Sequence, residues 1–196
     1  MSHACTLHPL QAAPPAAASS RYTLPAVALH WLLALLIIGL IGMGFYMESL
    51  PFSPMKLKLI NWHKWAGICV LALSALRLLW RLARRPPELP PAVLAVMPGW
   101  QRVAHHGVHV LMYVLFFAVP LSGWAYSSAA GFPIVLFGKL PLPDLLAANK
   151  ALAAGIKPLH ALSAMALAAL VALHVAGALK HQLIDRDGLM SRMKFR

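Results

Sequence analysis

Residues 157–180, KPLHALSAMALAALVALHVAGALK, are apolar and long enough to cross a bilayer, yet they include two histidines, His160 and His174. At about 1.5 Å and 100° per residue, the fourteen steps between them separate the side chains by roughly 21 Å along a helix and leave them within about 40° of one face. Ionisable side chains inside a membrane are costly and usually functional. This helix therefore predicts two separate sites, one near each edge of the hydrocarbon layer.

The composition is that of a membrane protein. Of the 196 residues, 60% are hydrophobic and 11% are charged, whereas a soluble domain has about 45–50% apolar and 25% charged residues. The net charge of +12 forms no basic stripe on a soluble fold, so we expect no nucleic-acid partner and assign the charge to the ends of membrane spans. A C-x-x-C-H motif is absent, so any haem would be non-covalent.

The order of apolar runs and prolines predicts an all-α integral membrane four-helix bundle. Residues 1–20 are rich in Ala, Pro and Ser and are predicted to be a disordered tail, while residues 21–196 form one transmembrane domain. We expect spans at about residues 25–47, 59–82, 103–126 and 157–180. In the long connection 127–155 we expect a short interfacial helix at about residues 144–153.

The basic residues predict the orientation. Four spans place both termini on one side, and that side holds eleven of the seventeen lysines and arginines, including every arginine. The positive-inside rule then places both termini in the cytoplasm. The outer side has two acids and these six lysines: Lys56, Lys58, Lys64, Lys139, Lys150 and Lys157.

With this topology, four histidines form two pairs by depth. His30 and His174 lie near the inner end of the bundle, and His63 and His160 lie near the outer end. Helical bundles build cofactor sites from facing helices, and histidine is a normal axial ligand of haem iron. We therefore predict two non-covalent b haems between the helices. The alternatives are histidines that only hydrogen-bond to neighbouring helices, and zinc, although roughly 21 Å between the levels keeps four ligands apart.

Three more histidines, His105, His106 and His109, begin the third span. One of them could replace His30 as the inner ligand, but we favour His106 or His109 as a donor to a haem propionate or a quinone carbonyl. The same region offers Trp100 and Arg102, so we place a quinone site there. We expect His105 and His181 to face water or headgroups.

Arg77 and Arg81 lie on one face at the end of the second span. An arginine ladder at this position is typical of a positive-inside stop signal. The guanidinium fork also binds carboxylates well, so these two arginines are candidate partners for haem propionates.

Together these features resemble the bacterial cytochrome b561 family of four-helix dihaem membrane proteins, which is related to the cytochrome b subunits of nickel–iron hydrogenases. The resemblance covers about residues 21–196. It rests on four segments in order: RYTLPAVALHW (21–31), NWHKWAG (61–67), AHHGVHVLMYVLFFAVPLSG (104–123) and LHALSAMALAALVALH (159–174).

The resemblance implies that the two histidine pairs ligate two b haems in a bacterial inner membrane. It also implies superoxide oxidase activity, in which superoxide is oxidised to O2 at the periplasmic side and ubiquinone is reduced. The outer lysines would attract such a small anion. The alternative is a haem-bearing anchor subunit of a hydrogenase- or dehydrogenase-type complex, docking its redox partner on the 127–155 loop. A third class, a histidine-lined metal-ion transporter, predicts no Soret band.

Overall fold

The computed structural model describes residues 21–195, and the predicted tail at residues 1–20 lies outside this range. It contains four long helices, α1 (Leu24–Ser49), α2 (Pro54–Ala83), α4 (Gly99–Ala129) and α5 (Lys150–Lys180), and one short helix, α3 (Pro91–Val96). Each long helix is apolar and long enough to cross a membrane. The prediction of an all-α membrane four-helix bundle is therefore confirmed. Among the described residues, the strands β1 (Val135–Leu136) and β2 (Leu140–Pro141) are the only extended pair.

Local sequence determines where two of the spans begin. The Ser53 hydroxyl accepts a hydrogen bond from the Lys56 amide at 3.2 Å, and α2 begins directly after it. The Asn149 side chain accepts one from the Leu152 amide at 3.1 Å, so α5 begins at residue 150 rather than near 157. Such caps satisfy amides that have no partner within the helix. The prediction of a separate interfacial helix at 144–153 was wrong, because residues 144–149 are irregular and residues 150–153 belong to α5.

The long helices pack as a ring in the order α1, α2, α4, α5, with α5 returning to α1. Buried apolar side chains fill the centre of this ring, and every long helix contributes at least one: Leu33, Ile37, Val70, Phe116 and Leu167. Along α5, Leu167 falls midway between His160 and His174. The apolar layer therefore separates the two histidine levels. Outward residues such as Leu35 are largely exposed, as expected where lipid covers the helices.

A β-hairpin closes the outer end of the bundle, opposite the end that holds residues 21 and 195. Three residues connect the strands, because Leu136 pairs with Leu140. The backbone φ angles of Phe137 and Gly138 are 52° and 69°, positive at both positions as in the two central residues of a type I′ turn. Lys64 Nζ donates to the Phe132 and Pro133 carbonyls at 3.2 and 3.4 Å. Trp65 Nε1 donates to the Val135 carbonyl at 2.7 Å. The residues that follow His63 therefore hold the hairpin.

The C-terminal segment closes the inner end. After α5 the chain makes a π-helical turn (His181–Asp185) and a 3-10 helix (Leu189–Met193). Trp31 Nε1 donates to the Met193 carbonyl at 2.9 Å, and Arg192 donates to the Glu88 carbonyl at 2.8 Å. These contacts bring the end of the chain against the start of α1 and the α2–α3 connection.

Replacing Trp65 by phenylalanine should loosen the hairpin. The substitution keeps a ring 5.5 Å from that of Phe137 but removes the donor to Val135, which costs about 1 kcal/mol. We expect amide exchange at Gly138 and Lys139 to be roughly 5-fold faster, measured by hydrogen–deuterium exchange in detergent. The control is Trp62→Phe, at an exposed tryptophan of the same helix. Equal exchange in the two variants would contradict the anchoring role.

Candidate functional site

The structure brings the four intramembrane histidines together in two pairs. The rings of His30 and His174 have centroids 6.2 Å apart at an interplanar angle of 74°. The rings of His63 and His160 have centroids 6.3 Å apart at 89°. These are the two pairs that the sequence predicted by depth, and α5 contributes one ring to each.

The spacing within each pair suits one metal ion between two imidazoles. Two metal–nitrogen bonds of about 2 Å, with two ring radii of about 1.1 Å, place the ring centres roughly 6.3 Å apart. The observed separations of 6.2 and 6.3 Å agree with this value. A direct imidazole–imidazole hydrogen bond would bring the ring centres closer together, since its nitrogens lie about 2.9 Å apart, whereas a metal ion between them holds the nitrogens about 4 Å apart.

The hydrogen bonds of His160 define which of its nitrogens is free. Its Nδ1 lies 3.0 Å from the Val119 carbonyl oxygen and 3.1 Å from Ser122 Oγ. The carbonyl can only accept, so Nδ1 carries the proton and Nε2 has the free lone pair. A metal-ligating histidine normally donates its other N–H in this way. The protonation pattern of His160 therefore fits an axial haem ligand.

His63, the other member of the outer pair, is held by packing. Its Nδ1 is buried and has no hydrogen-bond partner among the described residues. The backbone of α1 approaches it at Gly44, where an added Cβ would lie 3.9 Å from His63 Cε1. Its neighbours Lys64 and Trp65 bind the β-hairpin, so the outer histidine pair lies next to this hairpin.

A third imidazole lies beside the inner pair. The ring of His109 is 5.1 Å from that of His174 and perpendicular to it. His105 in turn lies 4.5 Å from His109 between ring centroids, and His109 Nδ1 is 2.6 Å from the His105 carbonyl oxygen. His105 is exposed, as expected, and one side of its ring packs against His109. His109 is the residue of this trio placed to act on a ligand at the inner site.

Arg77 and Arg81 border a cavity at the inner end. Arg77 donates from Nε to the Tyr113 hydroxyl at 3.1 Å and from a terminal nitrogen to the Ala26 carbonyl at 3.3 Å. The Arg81 guanidinium lies 5.6 Å from the centroid of the Tyr113 ring. The cavity measures about 330 Å³ and is also lined by Trp80, Arg84 and Arg85. Its strongly cationic wall would suit a carboxylate or another anion.

The remaining residues predicted around a quinone lie at different places near the start of α4. Arg102 donates to the Leu94 carbonyl at 3.1 Å and to the Met97 carbonyl at 3.2 Å, so its guanidinium holds the end of α3. Trp100 is 71% exposed, and His106 is also exposed. Of the four predicted residues, His109 is the one that the structure brings against the inner histidine pair.

Half of the outer lysines are already engaged with the protein. Lys56 donates to the Leu50 carbonyl at 2.8 Å, Lys58 lies 4.9 Å above the Trp62 ring, and Lys64 binds the hairpin. Lys139, Lys150 and Lys157 are exposed, as is Lys58. Their charge is available to an approaching anion.

One cluster was missed from the sequence. His181 Nδ1 lies 2.5 Å from Asp187 Oδ2 and 3.3 Å from Asp185 Oδ2. Lys180 already neutralises Asp185 at 2.6 Å, and Asp187 also accepts a hydrogen bond from the Leu189 amide at 3.1 Å. The sequence signal for this cluster was the pair of acids that follow His181 by four and six residues. The cluster fixes the turn that leads from α5 to the C-terminal segment.

Comparison with known proteins agrees with this architecture. A family model described as prokaryotic cytochrome b561 matches residues 21–196. The chain is 33% identical over 174 residues to cytochrome b561 homolog 2 of Escherichia coli, covering 88% of this chain and 90% of that protein. It is 32% identical over 177 residues to a probable superoxide oxidase CybB of Yersinia pestis, covering 88% and 95%. Cytochrome b561 homolog 1 of Escherichia coli is 29% identical over 178 residues, covering 89% and 97%.

Proposed function

The chain belongs to the prokaryotic cytochrome b561 family of multi-pass bacterial membrane proteins, which transfer electrons and bind b-type haem, and from this premise we propose that it carries electrons from superoxide to ubiquinone through two haem sites. The observation that supports this most is the pair of histidine sites, with ring separations of 6.2 and 6.3 Å, at the two ends of one bundle. Sites at opposite ends suit transfer across the membrane.

In this proposal His30 and His174 hold the inner haem, and His63 and His160 hold the outer one. When bound between two histidines, each haem supplies reversible one-electron chemistry without an open iron position for oxygen. Arg77 and Arg81 are the proposed partners of the inner propionates, since both border the inner cavity. The apolar layer around Leu33 and Phe116 keeps water out of the space between the two levels.

Superoxide is the proposed donor at the outer end. The relative named a probable superoxide oxidase supports this choice. The exposed lysines Lys139, Lys150 and Lys157 support it as well. Two superoxide ions each lose one electron and leave as O2, while one ubiquinone gains two electrons and two protons and leaves as ubiquinol. A charge of one sign near an entrance raises the encounter rate of a small anion by roughly 10–10³-fold.

Ubiquinone is the proposed acceptor at the inner end. His109 has the strongest support as the residue that binds it, because its ring lies 5.1 Å from that of His174. Its Nδ1–H donates to the His105 carbonyl at 2.6 Å, so Nε2 of the neutral ring has a free lone pair that would accept a hydrogen bond from a quinol hydroxyl. The same Nε2 would donate to a quinone carbonyl when the ring is doubly protonated. His106, Trp100 and Arg102 remain candidates at the rim of this region. With every arginine on the side of the termini, we propose that both termini, and the quinone site, lie on the cytoplasmic side.

Neutralising Lys139, Lys150 and Lys157 at the outer end should slow the reaction with superoxide. In Lys139→Gln/Lys150→Gln/Lys157→Gln we expect the superoxide-dependent rate of ubiquinol formation at low salt to fall by about 10-fold. Added salt should slow the wild type toward this variant, because ions screen the attraction. The control replaces Lys180, Arg186 and Lys194, which are exposed at the inner end, by glutamine. A wild-type rate independent of salt would exclude steering by charge.

A second candidate function is a haem-bearing anchor for a redox partner. The hairpin supports it, because Phe132, Phe137 and Leu140 are each more than half exposed at the outer end. A purified anchor subunit would bind haem and yet not react rapidly with superoxide. Rapid formation of ubiquinol by the purified chain alone would therefore exclude this candidate as the complete function.

A further inference from the structure

Gly123 lies against the imidazole of His160. A Cβ atom built on Gly123 would be 3.0 Å from Cε1, 3.3 Å from Nδ1 and 3.6 Å from Nε2 of that ring. Carbon atoms in contact are normally about 3.5–4.0 Å apart. Any side chain at this position would push the ring away from its present place.

This close approach distinguishes Gly123 from the other glycines of the long helices. On the same helix, a Cβ at Gly107 would have nothing within 4 Å. At Gly44, beside the other outer histidine, the nearest ring atom would be at 3.9 Å, an ordinary contact. Helix propensity favours alanine over glycine, so neither helix formation nor general packing explains a glycine at residue 123.

The same turn of α4 fixes the ring by hydrogen bonds. The Val119 carbonyl oxygen and Ser122 Oγ lie 3.0 and 3.1 Å from His160 Nδ1. Ser122 also donates to Val119 at 2.8 Å, which leaves the lone pairs of its oxygen to accept from Nδ1–H. Residues 119–123 thus set both the position of the imidazole and its rotation.

We propose that Gly123 is a positioning residue for His160, and that together with Ser122 it sets how tightly the outer haem is held and at what potential. This inference rests on the proposed function, in which His160 is an axial ligand. Partners of the second nitrogen of a ligating histidine control the orientation and basicity of the ring, and their loss typically weakens metal binding by about 10–100-fold. The absence of a side chain at residue 123 makes these contacts possible.

The test compares Gly123→Ala with Gly107→Ala, which adds the same methyl group to the same helix in open space. Haem release is measured by transfer to excess apomyoglobin, and the low-spin electron paramagnetic resonance signal and redox titration report on each haem. In Gly123→Ala we expect one haem to leave about 10-fold faster and only its signal to change. Gly107→Ala should match the wild type. Identical behaviour of the two variants would overturn the positioning role.

Two more variants keep the inference separate from the proposed function. Ser122→Ala should shift the reduction potential of the same haem and leave that of the other haem unchanged. If the Gly123→Ala protein fails to accumulate, Ser122→Ala alone tests whether residues 122 and 123 position His160. An unchanged potential in Ser122→Ala would then overturn the inference. His160→Ala tests the underlying premise. If it keeps its full haem content, the proposed function fails, whereas loss of one haem there with no effect of Gly123→Ala rejects the positioning role alone.

Discussion

Replacing His174 by alanine should remove one of two b haems, and replacing His160 should remove the other. In the proposed arrangement each histidine would supply one of two bonds to the iron, and alanine would leave only the partner imidazole, His30 or His63, to hold it. We expect each variant to retain about one haem per chain by the pyridine haemochrome assay. The remaining haem should differ between the two variants in its reduced-minus-oxidised spectrum.

The matched control for this experiment is His106→Ala. His106 belongs to the same bundle but is exposed on α4, so its removal should leave both haems in place. Full haem content in both His160→Ala and His174→Ala would refute the assignment of α5 as a shared ligand helix. Loss of both haems from either variant, with the protein still folded, would show that the two sites do not bind independently.

The same two substitutions should separate the two halves of the reaction. With His160 replaced, superoxide-driven ubiquinol formation should fall to the uncatalysed rate, and superoxide should cause no absorbance change in the remaining haem. With His174 replaced, ubiquinol formation should again fall to the uncatalysed rate, but superoxide should still reduce the haem that remains. The physical reason is position, since the exposed lysines lie at the outer end and His109 lies at the inner end.

Stopped-flow spectroscopy with a superoxide pulse, followed by a quinol assay, measures both halves. Leu35→Ala, at a lipid-facing side chain that is 71% exposed, serves as the control and is expected to keep both rates within about 2-fold. Ubiquinol formed at the wild-type rate by His174→Ala would mean that quinone is reduced at the outer end. A superoxide response that is retained in His160→Ala and lost in His174→Ala would place the donor site at the inner end.

Much of this architecture could be predicted from the sequence, because the membrane imposes simple rules. Apolar runs long enough to span a bilayer predicted the four helices, and the fourteen-residue spacing of His160 and His174 predicted two levels. The spacing works because helix geometry is nearly independent of context. The partners His30 and His63 followed from depth alone, and the structure brings each to the expected ring.

The remaining features depend on contacts between residues far apart in the sequence. Lys64 was counted with the free outer lysines, but carbonyls 68 and 69 residues later bind it. The start of α5 seven residues earlier than the apolar run indicated is the local exception, because Asn149 caps the helix through the Leu152 amide three residues later. The role of Gly123 depends on a ring 37 residues away. A one-dimensional pattern cannot give such distances, because they follow from how the helices are rotated against each other.

The central claim is that His30 pairs with His174 and His63 pairs with His160, each pair around one haem. Haem-to-protein ratios of double alanine variants test this most directly. The variant without His30 and His174 should retain about one haem, and so should the variant without His63 and His160. The variant without His160 and His174 should retain none. A haem retained in that last variant, or loss of both haems when only His30 and His174 are removed, would contradict the pairing.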